Sequence, residues 1–150
     1  MKRQAGFSLI EIMIVVAIMI VLAGVGVPAM QEMVVNQRIK SATSDLFASI
    51  LRARSEAIKR NVNVSMNPST SWSTGWTVPS PVAGEPALLN LSNRASITIA
   101  GPANGITFTP AGRLTGTSNV TFSVSATKGT PRCITIDLGG RPNVQPHSCS

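Results

Sequence analysis

From Ile12 to Met30 the chain runs 19 consecutive residues without a charge or a strongly polar side chain. As an α-helix that run is roughly 28 Å long at 1.5 Å per residue, close to the thickness of a bilayer's hydrocarbon core. Three readings fit it. A cleavable secretory signal is favoured by the basic start Met1-Lys2-Arg3 and by Val27-Pro28-Ala29 as a small-residue cleavage site. The run exceeds the usual apolar region of such signals, however, and Glu11 stands at its edge. A plain transmembrane anchor would leave the basic start in the cytoplasm, as the positive-inside rule favours. The third reading is a leader cut ahead of the apolar run. Hydrophobic residues make up 43% of the chain, but many belong to this segment, so the part left to form a globular core is thin.

The helix is expected to outlast the apolar run. Ile39, Ala42, Leu46, Ile50, Ala53 and Ala57 recur at steps of three and four, with Phe47, Leu51 and Ile58 widening the stripe. The opposite face carries Arg38, Lys40, Arg52, Arg54, Lys59 and Arg60 against Asp45 and Glu56, and reads as a solvated face. Gly24, Gly26 and Pro28 predict a kink or local melting near residues 24–28, because proline removes a backbone donor and clashes one turn back.

Asn61 ends the helical pattern, and Val62, Val64 and Met66 then alternate with polar residues. Further strands are predicted over 75–78, 87–91, 96–100, 106–109, 119–125 and 132–138. Turn-forming pairs such as Gly101-Pro102, Asn104-Gly105, Ala111-Gly112 and Gly139-Gly140 separate them. A long helix followed by strands gives an α+β fold, with the helix's apolar stripe laid on a small, mostly antiparallel β-domain. Trp72 and Trp76 read as core or loop anchors rather than binding platforms.

The leader narrows the choice. Gly6-Phe7-Ser8-Leu9-Ile10-Glu11, after a short basic segment and before the apolar run, closely resembles the signal of type IV pilins and type II secretion pseudopilins. Leu51-Arg52-Ala53-Arg54-Ser55-Glu56-Ala57-Ile58-Lys59-Arg60-Asn61 is similar to the GspH/FimT branch of minor pilins. So are Ile106-Thr107-Phe108-Thr109-Pro110-Ala111-Gly112-Arg113 and Ile134-Thr135-Ile136 running into Gly140-Arg141. The resemblance implies cleavage by a prepilin peptidase between Gly6 and Phe7, followed by N-methylation of Phe7. It divides the chain into a leader (1–6), a transmembrane and filament-core helix (7–35), an amphipathic helix (36–60) and a periplasmic or extracellular β-domain (61–150). It implies an inner-membrane precursor that assembles with other major and minor pilins into an extracellular pilus, priming it or standing at its tip. The alternative is a type II secretion pseudopilin with no nucleic-acid role.

Glu11 has a defined place in that scheme. A carboxylate at the edge of hydrocarbon costs on the order of a few kcal/mol unless paired. In the resembling family its partner is a neighbouring subunit's amino terminus, which sets the register of assembly; cleavage after Gly6 would put such an amine on Phe7. The bland alternative is a hydrated interfacial side chain. The branch also includes DNA-binding proteins of transformable bacteria with a carboxyl-terminal Gly-Arg-x-Arg motif. Here Gly140-Arg141-Pro142-Asn143 matches its first half, and Asn143 replaces the second arginine. DNA is therefore a candidate partner, with Arg141 as the reaching side chain and Arg132, Lys128 and Arg113 flanking it. The competing reading is a turn with a solvated arginine.

Cys133 and Cys149 fall in the region expected outside the cytoplasm, where a bridge is favoured over two free thiols. The lone His147 and the lack of a paired Cys-x-x-Cys argue against a metal site. Past Asn61 the acids are Glu85 and Asp137, too few to specify a catalytic constellation, so neither an enzyme nor a cofactor is expected. The net charge of +7 is compatible with DNA, an anionic surface or an acidic neighbour in a filament.

Overall fold

The computed structural model describes residues 8–92 and 96–149, with the backbone alone for residues 25–29. Among the described residues one helix, α1 (Leu9–Arg60), precedes eight strands: β1 (Val64–Pro68), β2 (Gly75–Val78), β3 (Leu89–Ser92), β4 (Thr98–Ala100), β5 (Ile106–Phe108), β6 (Val120–Ser125), β7 (Arg132–Ile136) and β8 (Pro142–Gln145). The chain divides into two compact units, residues 1–34 and 35–150.

In the first unit the Ser8 carbonyl accepts the amides of Glu11 and Ile12 at 3.1 and 3.3 Å, which closes the first turn. Glu11 therefore sits at the helix's positive end, where a carboxylate is favoured. The apolar side chains from Leu9 to Leu22 are exposed, with Leu9 at 78%. Among the described residues no helical stretch is long and apolar enough to cross a membrane. The span read from the sequence includes residues 25–29, whose side chains lie outside the described set. Helical backbone continues through residues 24–28, so of the kink or local melting predicted there the melting is absent. A single proline removes one ladder bond, and a helix can absorb that loss without unwinding.

The second unit is built on the helical stripe. Ile39, Ala42, Leu46, Ile50, Ala53 and Ala57 are all 2% exposed or less, and they form one core with Val64, Met66, Trp76, Phe108, Phe122, Ile134 and Ile136. Fully burying a side chain of the Val, Leu or Ile kind contributes about 1.5–3 kcal/mol, so this stripe fixes the fold. The wider stripe does not hold. Phe47 packs partly against the core, but Leu51 and Ile58 are 40% and 51% exposed. At 100° per residue they have turned past the edge of the buried face.

Two antiparallel sheets cover the stripe, ordered β3-β2-β1-β5 and β4-β6-β7-β8. Phe108 bridges to Leu114, and the Leu114 amide donates to the Leu138 carbonyl at 3.3 Å, which ties the end of the first sheet to the end of β7. The helix stops where expected. Asn61 takes φ 55°, and the Val62 amide donates to the Ala57 carbonyl at 3.3 Å, the six-to-one bond of a left-handed helix cap. Trp76 donates its ring N–H to Ser49 Oγ at 2.9 Å inside the core. Trp72 donates to the Pro102 carbonyl at 2.9 Å and meets Phe122 edge-on at 4.8 Å. Both tryptophans are anchors, and neither presents a free face.

Candidate functional site

The motifs singled out in the β-domain meet at the helix's carboxyl-terminal end. Arg54 follows the buried Ile50 by four residues, so its stem lies beside the buried stripe and its guanidinium turns toward the sheets. Its Nε donates to the Gly112 carbonyl at 2.9 Å and its Nη2 to the Gly139 carbonyl at 3.2 Å. One planar fork thus holds two turns, the one after β5 and the one between β7 and β8. Sequence reasoning missed this by placing Arg54 on the solvated face. The spacing from Ile50 was the signal that could have found it.

The glycines of those turns have no substitute. Gly140 has φ +76°, and a Cβ there would stand 2.1 Å from the Gly112 carbonyl oxygen. Gly112 has φ +72°, and its Cβ would meet Ile58 Cδ1 at 2.7 Å. The turns touch backbone to backbone because both lack side chains. Asp137 caps the second turn: its Oδ1 accepts the Arg141 amide at 2.8 Å, and its carbonyl accepts the Gly140 amide at 2.8 Å. Arg113 and Arg141, the residues following the two glycines, are exposed at this end.

Lys128 and Arg132 lie elsewhere. They belong to the β6–β7 turn and the start of β7, whereas Arg141 follows the end of β7. The β6–β7 turn docks on the beginning of the helix's packed half, where the Thr130 amide donates to Asn36 Oδ1 at 2.8 Å. Lys128 lines a small cleft of about 190 Å³ there with Val35, Arg38 and Ile97. The four cations proposed to flank one site are therefore two pairs at opposite ends of β7. In a meander the turns before and after a strand lie at its two ends, and the sequence reading had not applied that rule.

Cys133 on β7 and Cys149 in the tail form a disulfide with Cα atoms 5.0 Å apart. Cys133 also pairs with Gln145 of β8, so the tail leaves the sheet and is tied back to it 16 residues along the chain. Other polar contacts close the helix end. Arg60 Nε donates to Glu56 at 2.8 Å and its Nη1 donates to Glu85 at 3.2 Å, while Ser80 Oγ donates to Glu85 at 2.8 Å. The bond from Arg60 holds the Glu56 carboxyl below its ordinary range, and bonds from Ser80 and then Arg60 do the same for Glu85. Among the described residues no cluster of His, Cys, Asp or Glu could hold a metal ion. The expected cleavage junction, Gly6 and Phe7, lies outside the described residues.

A long leading helix followed along the chain by two four-stranded antiparallel sheets, with a glycine–phenylalanine leader motif ahead of it in the sequence, is the element order of a pilin-like protein. Comparison with known proteins narrows this. Residues 42–140 match the family of the type II transport protein GspH, and residues 1–27 match the prokaryotic N-terminal methylation motif. The chain belongs to the GspH family. A fimbrial protein of Pseudomonas aeruginosa is 32% identical over 107 residues, covering 70% of this chain; the chain spans 65% of that relative's length. The minor pilin FimU of the same organism shares the fold with TM-score 0.64 at 24% identity, over 76% of this chain and 96% of that one. The minor pseudopilin EpsH of the Vibrio cholerae type 2 secretion system shares it with TM-score 0.54 at 14% identity, over 71% and 94%.

Proposed function

We propose that this chain is a minor pilin of the FimT/FimU type, with a structural rather than an enzymatic role, that primes a type IV pilus or stands at its tip. One observation carries the reading: an N-terminal methylation motif stands directly ahead of a FimU-like fold, with Glu11 exposed in the first turn of the joining helix. In this scheme the precursor crosses the inner membrane once, with Lys2 and Arg3 inside and the β-domain outside. Prepilin peptidase cuts after Gly6 and Phe7 is methylated. Glu11 then meets the Phe7 amine of a neighbouring pilin and sets the register. The GspH family match and the EpsH-like fold favour a second reading, a type II secretion pseudopilin, which uses the same processing and assembly chemistry.

DNA binding is not adopted, because the cations that would carry it are split between two ends of β7. The assembly reading is tested in pilus-forming cells with the Glu11→Val variant. Expected are a mature terminus at methylated Phe7 by intact mass, normal membrane insertion, and loss of the variant from the sheared filament fraction. Wild-type incorporation of the variant would overturn the role of Glu11. A deletion that abolishes exoprotein secretion and leaves piliation intact would assign the chain to the secretion system.

A further inference from the structure

The β6–β7 turn builds a second cationic place, at the beginning of the helix's packed half. Gly129 has φ +93°, and a Cβ there would stand 2.7 Å from Asn36 Oδ1 and 3.2 Å from Val35 Cγ1. The turn therefore packs closely on the helix because it lacks a side chain at that point, and the Thr130 amide fixes it by donating to Asn36 Oδ1 at 2.8 Å. Lys128 is thereby brought to the same cleft as Arg38. The connection between β3 and β4 closes the third side with Ser96, held at φ 73°, and the buried Ile97. The cleft has a volume of about 190 Å³, with Val35, Ile97 and Ala126 as an apolar floor. Its two cations are exposed and come from different elements.

Among the described residues neither cation has a carboxylate partner, since both ion pairs belong to Arg60. No acid lines the cleft. Glu32, the nearest acid before it in the chain, is exposed and outside the lining, and Asp45, the next one after, is engaged within the chain. Two unpaired cations over an apolar floor fit an anion that carries its own apolar root. Chain position narrows this to a lipid. Val35 follows Met30, the last residue of the apolar run, by five residues, about 7 Å of helix. The headgroup layer on each side of a bilayer's hydrocarbon is about 5–8 Å deep. We propose that this cleft binds the headgroup of one anionic phospholipid, its phosphate between Arg38 and Lys128 and its glycerol against Val35 and Ile97. The arginine offers the phosphate a planar two-bond fork and the lysine a point charge. A headgroup held there moors the β-domain on the membrane surface while the precursor awaits assembly. The proposal rests on the single-pass reading and adds a ligand to it.

The test titrates the full-length protein in detergent with phosphatidylglycerol or with phosphatidylcholine of the same acyl chains, and counts retained lipid by native mass spectrometry. Expected is one phosphatidylglycerol held at least fivefold more tightly than phosphatidylcholine, because one cation near an anionic lipid is worth about that factor. Arg38→Gln and Lys128→Gln should each weaken it about fivefold. Arg113→Gln, at the other end of β7, and Glu32→Gln should not weaken it. Retention of the Cys133–Cys149 bridge in each variant shows that it has folded. Equal retention of the two lipids would overturn the proposal. So would phosphatidylglycerol binding that survives both substitutions, which would place the lipid at Lys2 and Arg3 instead. Displacement of the lipid by excess inorganic phosphate would make the cleft a site for a free anion, and that too would overturn it. Fractionation of pilus-assembling cells checks the reading beneath: protein recovered outside the membrane defeats the single-pass reading and the proposal together. Membrane-bound protein without the lipid preference defeats the proposal alone.

Discussion

Replacing Arg54 by alanine removes both bonds that join the helix to the turns at Gly112 and Gly139. A hydrogen bond with a charged partner contributes about 1.5–3 kcal/mol when well shielded. Arg54 is half-buried, so screening by solvent reduces each to about 1 kcal/mol. Gly112 is buried, and its carbonyl loses this donor, which adds about 1 kcal/mol. The expected total is about 3 kcal/mol. For a unit of this size about 4 °C of melting temperature corresponds to each kcal/mol, so the midpoint should fall by about 12 °C. Trp72 and Trp76 are the chain's two tryptophans and both lie in the β-domain core, so near-ultraviolet circular dichroism of the full-length protein follows this unit. Arg54→Lys keeps the charge but not the planar fork, and it should recover less than half of the loss. If Arg54→Ala melts within 2 °C of wild type, the fork does not hold the turns.

Gly140→Ala should cost more than 2 kcal/mol by the same melt, since its Cβ would stand 2.1 Å from a backbone oxygen at φ +76°; a neutral result would mean that the turns part easily. Cys149→Ser should lower stability by about 3 kcal/mol, the chain-entropy value for a loop of this length, and should free the tail to limited proteolysis. Glu56 and Glu85 have lowered folded-state values, so their contribution is present above the ordinary carboxylate pKa and is lost as pH falls through the folded values. Arg60→Ala should therefore destabilise at pH 7 and converge with wild type as acid takes the pH down through the lowered folded values of Glu56 and Glu85; an offset that does not shrink in acid would rule out the ion pair as its origin.

The core was legible because its pattern is local and periodic. Six stripe positions from Ile39 to Ala57 obey the helical spacing, and all six are buried. Most strands fall within a residue or two of the alternating segments bounded by Gly and Pro pairs. β8 was missed because Pro142-Asn143-Val144-Gln145-Pro146 reads as turn and tail. Proline is tolerated at the first residue of an edge strand, and pairing with β7 supplies what local preference does not. The Arg54 fork was illegible for a related reason. Its acceptors are carbonyls 58 and 85 residues away, and a backbone acceptor leaves no mark in residue identity.

The division of the cations has a functional consequence that composition conceals. Five residue steps from Arg132 to Asp137, whose amide pairs with the Arg141 carbonyl, separate the two pairs by about 16 Å at 3.3 Å per residue. That is about twice the screening length at physiological salt, so the pairs do not sum into one field. A patch that neutralises about two phosphates gives a salt slope near −2, far short of what holds a duplex firmly. The Arg54 fork sets both turns against the helix, so one buried-edge arginine positions the outward-facing pair. The glycine–arginine repeats at 112–113 and 140–141 are thus built alike: the glycines allow the turns to touch, and the arginines that follow them stand exposed.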